Sequence, residues 1–167
     1  ITSSQALDET KNNYLMGIVY LGNVYGVSAC DITTGDYLVT EVENERALLD
    51  EISKFSPSEI ICNEAFYMSG ADLDDLRSRY QTAVSSLDGR YFSDEGCRKV
   101  LKEHFHVSSL EGLGLADHDA GVLAAGAVME YLYETQKSSL DHITNLTIYS
   151  AGQYMIIDSS TRRNLEL

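Results

Sequence analysis

The run "DITTGD" places Asp31 and Asp36 five positions apart, and carboxylates brought together in this way are the groups that hold catalytic divalent cations. A turn uses the same residues, because short Asp side chains bond back to the backbone two residues on. The turn reading is favoured, since the first strand-like run, Leu15 to Tyr20, carries no carboxylate and a metal pair needs ligands on rigid scaffold. Cys97, His104, His106 and His118 are potential zinc ligands, but their spacing matches none of the paired-ligand patterns. Such histidines are expected at the surface or at helix caps. No G-x-S-x-G elbow marks a nucleophile, and no Lys follows a glycine-rich loop that would cradle phosphates. Tyr131 and Tyr133, near Glu134, would suit base stacking, yet their helical spacing assigns them to core packing and helix-face burial.

The charge balance narrows the class further. Twenty-six acidic against 12 basic side chains give a net charge of -14, a surface that repels phosphate instead of releasing its counterions. Autonomous nucleic-acid binding is thereby disfavoured. The lysines and arginines are scattered, with Arg98-Lys99 and Arg162-Arg163 the adjacent pairs, and neither makes a binding stripe. Three widely spaced cysteines, Cys30, Cys62 and Cys97, fit reduced core thiols and a cytoplasmic setting better than a disulfide framework. No apolar run reaches the roughly 20 residues that span a bilayer, so no membrane association is expected. At 167 residues with 44% hydrophobic content, the chain suits one packed domain and a short appended segment. Residue 1 is Ile1, and the closing "DSSTRRNLEL" reads as a helix just beginning, so an excised piece of a longer chain is the expectation.

The elements that must position these groups follow from periodicity. Leu15 to Val42 reads as three strands joined by turns at Leu21-Gly22-Asn23 and at Asp31 to Gly35. "NERALLDEISKF" then switches to helical spacing, with Asn44 as N-cap, Leu48, Leu49, Ile52 and Phe55 on one face, and Pro57 ending it. "SEIICN" is a strand, "SGADLDDLRSRY" a helix with Ser69 and Asp72 spaced as a capping box, and "TAVSSL" a further strand. "SDEGCRKVLKEHF" is a helix capped by Ser93. "DHDAGVLAAGAVMEYLYETQK" is apolar on nearly every side and should be buried, with Gly121 and Gly126 permitting close backbone approach. Beyond Ser139 come a connection, two short strands and the final helix start. The order resembles the ribonuclease H-like arrangement. The expected fold is α/β, a mixed five-stranded sheet of an antiparallel meander plus parallel β-α units, with flanking helices.

Several segments in order, "NNYL", "DITTGD", "LEGLGL", "YLYETQKSSLDHI" and "MIIDSSTRRNLEL", together resemble the MutS family of DNA mismatch repair proteins over essentially the whole chain. The resemblance implies that residues 1–139 are the connector domain, ribonuclease H-like but without nuclease activity, and that 140–167 are the linker and the beginning of the core, or lever, domain. Its implied work is to join the mismatch-binding and core domains, to relay ATP and DNA state, and to offer a docking surface to MutL. The other domains, the second subunit and, through the full-length protein, mismatched DNA complete the implied partners.

No cofactor is expected in this fragment, ATP and magnesium belonging to the full-length protein. The Phe-x-Glu wedge of mismatch reading is absent, since no Glu stands two residues after Phe55, Phe66, Phe92 or Phe105, and so is a Walker A loop. From the family's use of this region, the MutL-facing surface is expected on the polar side of the Ser93 to Phe105 helix, at Lys99, Lys102 and Glu103. Arg162 and Arg163, unfavourably placed in a first helical turn, are expected to make interdomain pairs. The competing reading is a ribonuclease H-like metal-dependent nuclease.

Overall fold

A computed structural model describes residues 13–152. Its centre is an antiparallel meander: β1 (Tyr14–Leu21), β2 (Val24–Asp31) and β3 (Asp36–Val42). The β1–β2 loop is only Gly22 and Asn23, and Gly22 adopts φ +63°, the left-handed region that a two-residue hairpin demands of its first position. The second turn closes on Asp31, whose carboxylate accepts from the Thr33 amide at 2.9 Å and the Thr33 hydroxyl at 2.6 Å.

Helix α1 (Glu45–Phe55) crosses over to β4 (Glu59–Cys62), which lies parallel to β1. Asn44 caps it by accepting from the Ala47 amide at 2.8 Å, and Ser56 ends it in a left-handed conformation just before Pro57. A short α2 (Glu64–Tyr67) and then α3 (Leu73–Tyr80) lead to β5 (Ala83–Ser86), parallel to β4. The expected capping box at Ser69 does not form. Asp72 alone caps α3, accepting from the Asp75 amide at 3.0 Å, while the Ser69 hydroxyl donates to the Phe66 carbonyl at the end of α2. A 3-10 turn (Gly89–Phe92), α4 (Asp94–Phe105), a second 3-10 turn (Leu110–Leu113) and the long α5 (Asp119–Thr135) follow.

The sheet order is β5-β4-β1-β2-β3-β6, where β6 (Thr147–Ile148) lies parallel to β3. Among the described residues the sheet therefore has six strands where five were expected. The sixth is a two-residue pairing against Leu38 and Val39, the first of the two short strands read beyond Ser139, which was not expected to join this sheet. The second short strand expected beyond Ser139 falls outside the described residues.

Alternation along the strands sends side chains to opposite faces of the sheet. Met16, Ile18, Val27, Ala29 and Leu38 meet Leu48, Ile52, Phe55 and Phe66 from α1 and α2. Leu15, Val19, Cys30, Tyr37 and Val39 meet α4 and α5 on the other side. Helix α5 is buried at every position from Ala120 to Met129 and again at Leu132. It reaches that depth because the strands beneath it offer no side chain where its backbone passes. A β-carbon on Gly26 would lie 2.0 Å from the Ala120 carbonyl oxygen, and one on Gly17 would lie 2.5 Å from Val128 and 3.0 Å from the Ala124 carbonyl oxygen. On its far side Gly126 admits Cys97 of α4 in the same way, at 2.3 Å from where a β-carbon would stand.

The seat of α5 yields a direct expectation. Gly26→Ala should lower unfolding free energy in urea by about 3 kcal/mol, because backbone cannot move aside as a flexible side chain would. Gly89→Ala, with nothing within 4 Å of the new methyl, should stay within about 0.5 kcal/mol of the parent. Equal stability of the two variants would remove the close-approach account.

Candidate partner-facing surface

Helix α4 begins at Ser93, whose hydroxyl accepts from the Gly96 amide at 3.1 Å, and its first turn carries Asp94 and Glu95 against the positive end of the helix dipole. Cys97, Leu101 and Phe105 turn inward at helical spacing. Arg98 fixes the helix relative to α5, reaching Asp94 at 2.9 Å and Asp119 at 3.1 Å. The outward face holds Lys99 and Glu103, both exposed; Lys102, expected there too, is half-buried.

Between α4 and α5 runs a groove of about 290 Å³ lined by Arg90, Tyr91, Lys99, Glu103 and Glu130 and by the buried Cys97 and Gly126. Lys99 and Glu103 thus share one feature, and Lys102 is not part of its lining. Arg90 clamps Glu134 through both guanidinium nitrogens, at 3.1 and 3.3 Å, and lies 4.2 Å over the Tyr91 ring. Tyr91 donates its hydroxyl to the same carboxylate. These hydrogen bonds hold Glu134 below the usual carboxylate range and raise the Tyr91 phenol.

Near the other end of α4, His104 joins three segments. Its Nε2–H donates to the Ile143 carbonyl at 2.8 Å, which leaves Nδ1 to accept from the Tyr133 hydroxyl at 2.5 Å. His142 donates from Nε2 to the Ile32 carbonyl, tying the same segment to the β2–β3 turn. Tyr133 itself is 51% exposed, so the expectation that both tyrosines are buried fails for it; its phenol reaches outward to His104 instead of into the core. Tyr131 is half-buried and donates to Glu59 of β4 at 2.5 Å.

The remaining histidines take terminal positions. His106 closes α4 in a left-handed conformation, and His118 precedes α5, 3.3 Å from Glu41. Glu41 was invisible to pattern reading, yet its carboxylate accepts the Gly121 amide at 2.9 Å and so caps α5 from a strand 80 residues away. Among the described residues no three His, Cys, Asp or Glu side chains converge as a metal site would need. Asp31 is engaged in its own turn. The three thiols are free and buried, and burial pushes Cys62 and Cys97 up to about 12 and raises Cys30 as well. Neutral thiols are poor nucleophiles and poor metal ligands. Arg162 and Arg163 lie outside the described residues.

The fold and this surface define a mixed-sheet α/β domain whose polar side chains are spent on caps, turns and inter-element ties. Comparison with known proteins gives the family: the chain belongs to the family described as MutS domain II, whose model matches residues 13–144. It is 58% identical over 165 residues to the DNA mismatch repair protein MutS of Lachnoclostridium phytofermentans, covering 99% of this chain and 18% of that protein. The DNA mismatch repair protein MutS of Ruminiclostridium cellulolyticum is 41% identical and that of Acetivibrio thermocellus 40%, each aligned over 170 residues, 100% of this chain and 19% of the relative. The chain spans about a fifth of the length of these relatives.

Tyr131 gives a pH signature. The hydrogen bond to Glu59 chiefly, then burial and the Glu59 charge, push its phenol up from 10.0 to about 12. The stability this carries is fully present below the unfolded value and is lost as pH rises through the folded one, because the unfolded chain releases the proton first. Tyr25, Tyr37 and Tyr149 are raised too and act in the same direction. The urea midpoint should fall between pH 10 and 12, and Tyr131→Phe should flatten part of that fall. An unchanged slope in the variant would show that the Glu59 contact does not set it.

Proposed function

We propose that the chain is the connector module of a MutS-type mismatch repair protein, non-catalytic in itself. It joins the mismatch-binding domain to the core domain, relays nucleotide and DNA state between them, and presents α4 to MutL. The observation that carries this reading is the family match over residues 13–144, which takes in β1 to β5 and the five α-helices of the described residues. The sheet order β5-β4-β1-β2-β3, with β2 antiparallel to both neighbours, supports a ribonuclease H-like assignment. Carboxylates engaged in turns and caps support its working without chemistry. ATP and magnesium would then be bound elsewhere in the longer protein, and mismatched DNA would be met only by the assembled molecule and its second subunit.

On this reading residues 1–139 are the connector and 140–167 lead into the core domain, where Arg162 and Arg163 would make interdomain contacts. The setting would be the cytoplasm; among the described residues no helix is long and apolar enough to cross a membrane.

Docking on α4 is favoured by the exposed Lys99 and Glu103 on a groove between two well-anchored helices, since a rigid surface loses little entropy when a partner seats on it. Calorimetric titration of the chain with MutL should give binding. The double variant Lys99→Glu with Lys102→Glu should weaken it about tenfold or more with unchanged thermal stability. Undiminished binding by the folded variant would remove α4 as the docking surface.

A further inference from the structure

Glu51, on α1 between Leu48 and Ile52, is 1% exposed, the one fully buried acidic side chain among the described residues. A carboxylate out of water persists only with partners for its charge and its lone pairs. Two of Glu51's partners come from far along the chain. The Tyr149 hydroxyl donates to Oε1 at 2.8 Å, and the Gly152 amide donates to Oε2 at 3.0 Å. Lys54, one helical turn on, sits 3.0 Å from Oε1, and its ammonium lies 5.2 Å over the Tyr149 ring.

The segment that supplies these donors is fastened at several points. Thr147 and Ile148 pair with β3, the Tyr149 amide donates to the Val39 carbonyl at 3.1 Å, and the Thr40 hydroxyl donates to the Tyr149 carbonyl at 2.7 Å. Tyr149 is 7% exposed and packs edge-on to Phe55, while Gly152 turns at φ +87° to aim its amide at the carboxylate. Backbone pairing alone would hold residues 147–149 to β3; the buried carboxylate ties the Tyr149 side chain and the Gly152 amide to α1.

We propose that Glu51 is a latch that straps residues 147–152 onto α1, holding that segment against the α1 face beyond its pairing with β3. Displacement of this strap is then transmitted to α1, on the face of the sheet opposite α4 and α5. The strap lies beyond the residues that the family model matches, and the latch does not depend on the connector reading.

Hydrogen exchange of the whole chain, read by mass spectrometry, tests it. In Glu51→Ala the amides of Tyr149 and Gly152 should exchange roughly tenfold faster or more, while Ile18 and Val27 in the sheet centre keep their protection. Tyr149→Phe, which loses a single hydroxyl, should show the same pattern with a change of about threefold and covers the case in which Glu51→Ala fails to fold. Unchanged exchange over residues 147–152 in the folded variants would overturn the latch. So would equal acceleration across the whole sheet, which would make Glu51 an ordinary contributor to global stability.

Discussion

Helix α5 lies so close to the sheet that its carbonyl oxygens occupy the space where side chains of β1 and β2 would be, and the rest of the architecture depends on that contact. Gly17 and Gly26 provide the room, and Ser28, fully buried beside Gly17 in the strand register, keeps the same surface low. With the helix sunk this far, its small residues Ala124, Ala125 and Ala127 become core residues. Gly126 then lets α4 approach from the far side, so two helices form one layer on a single strip of glycine and alanine. A larger residue at any of these positions would displace more than itself.

Much of this was legible because it rests on local chemistry. The meander announced itself through strand-forming runs broken by Gly22-Asn23 and by Asp31 to Gly35, and Asn44 and Ser93 stood where N-caps must stand. The all-round apolar character of α5 identified a buried helix. Less legible was anything whose partner lies far along the chain. Glu41 capping α5, Glu51 receiving Gly152 and His104 bridging Tyr133 to Ile143 each join residues that no periodicity connects. Tyr133 shows the limit of spacing: helical period put it beside the core, but its hydroxyl found a better partner in the half-exposed His104. Similarly, a short strand was legible beyond Ser139, but its pairing with β3 was not.

The two faces of the sheet are built differently. Against α5 the strands offer Gly17 and Gly26 to the helix backbone amid an apolar side-chain core, α4 packs on its far side, and the outer rim is tied by exposed charge pairs such as Arg90 with Glu134 and Arg98 with Asp94 and Asp119. Exposed pairs of this kind contribute little stability and more orientation. Against α1 the contact is aromatic and aliphatic, closed by a buried carboxylate with its donors. The α4–α5 layer and the strap over α1 thus lie on opposite faces of the sheet.

The central claim is that this unit acts through its contacts and performs no chemistry of its own. Incubating the chain with magnesium or manganese and a structured DNA substrate examines it most directly, because the alternative for this sheet order is metal-dependent cleavage. The account predicts intact DNA at every metal concentration. Cleavage that disappears in Asp31→Asn would contradict it, and would turn the Asp31 turn from a structural device into a catalytic one.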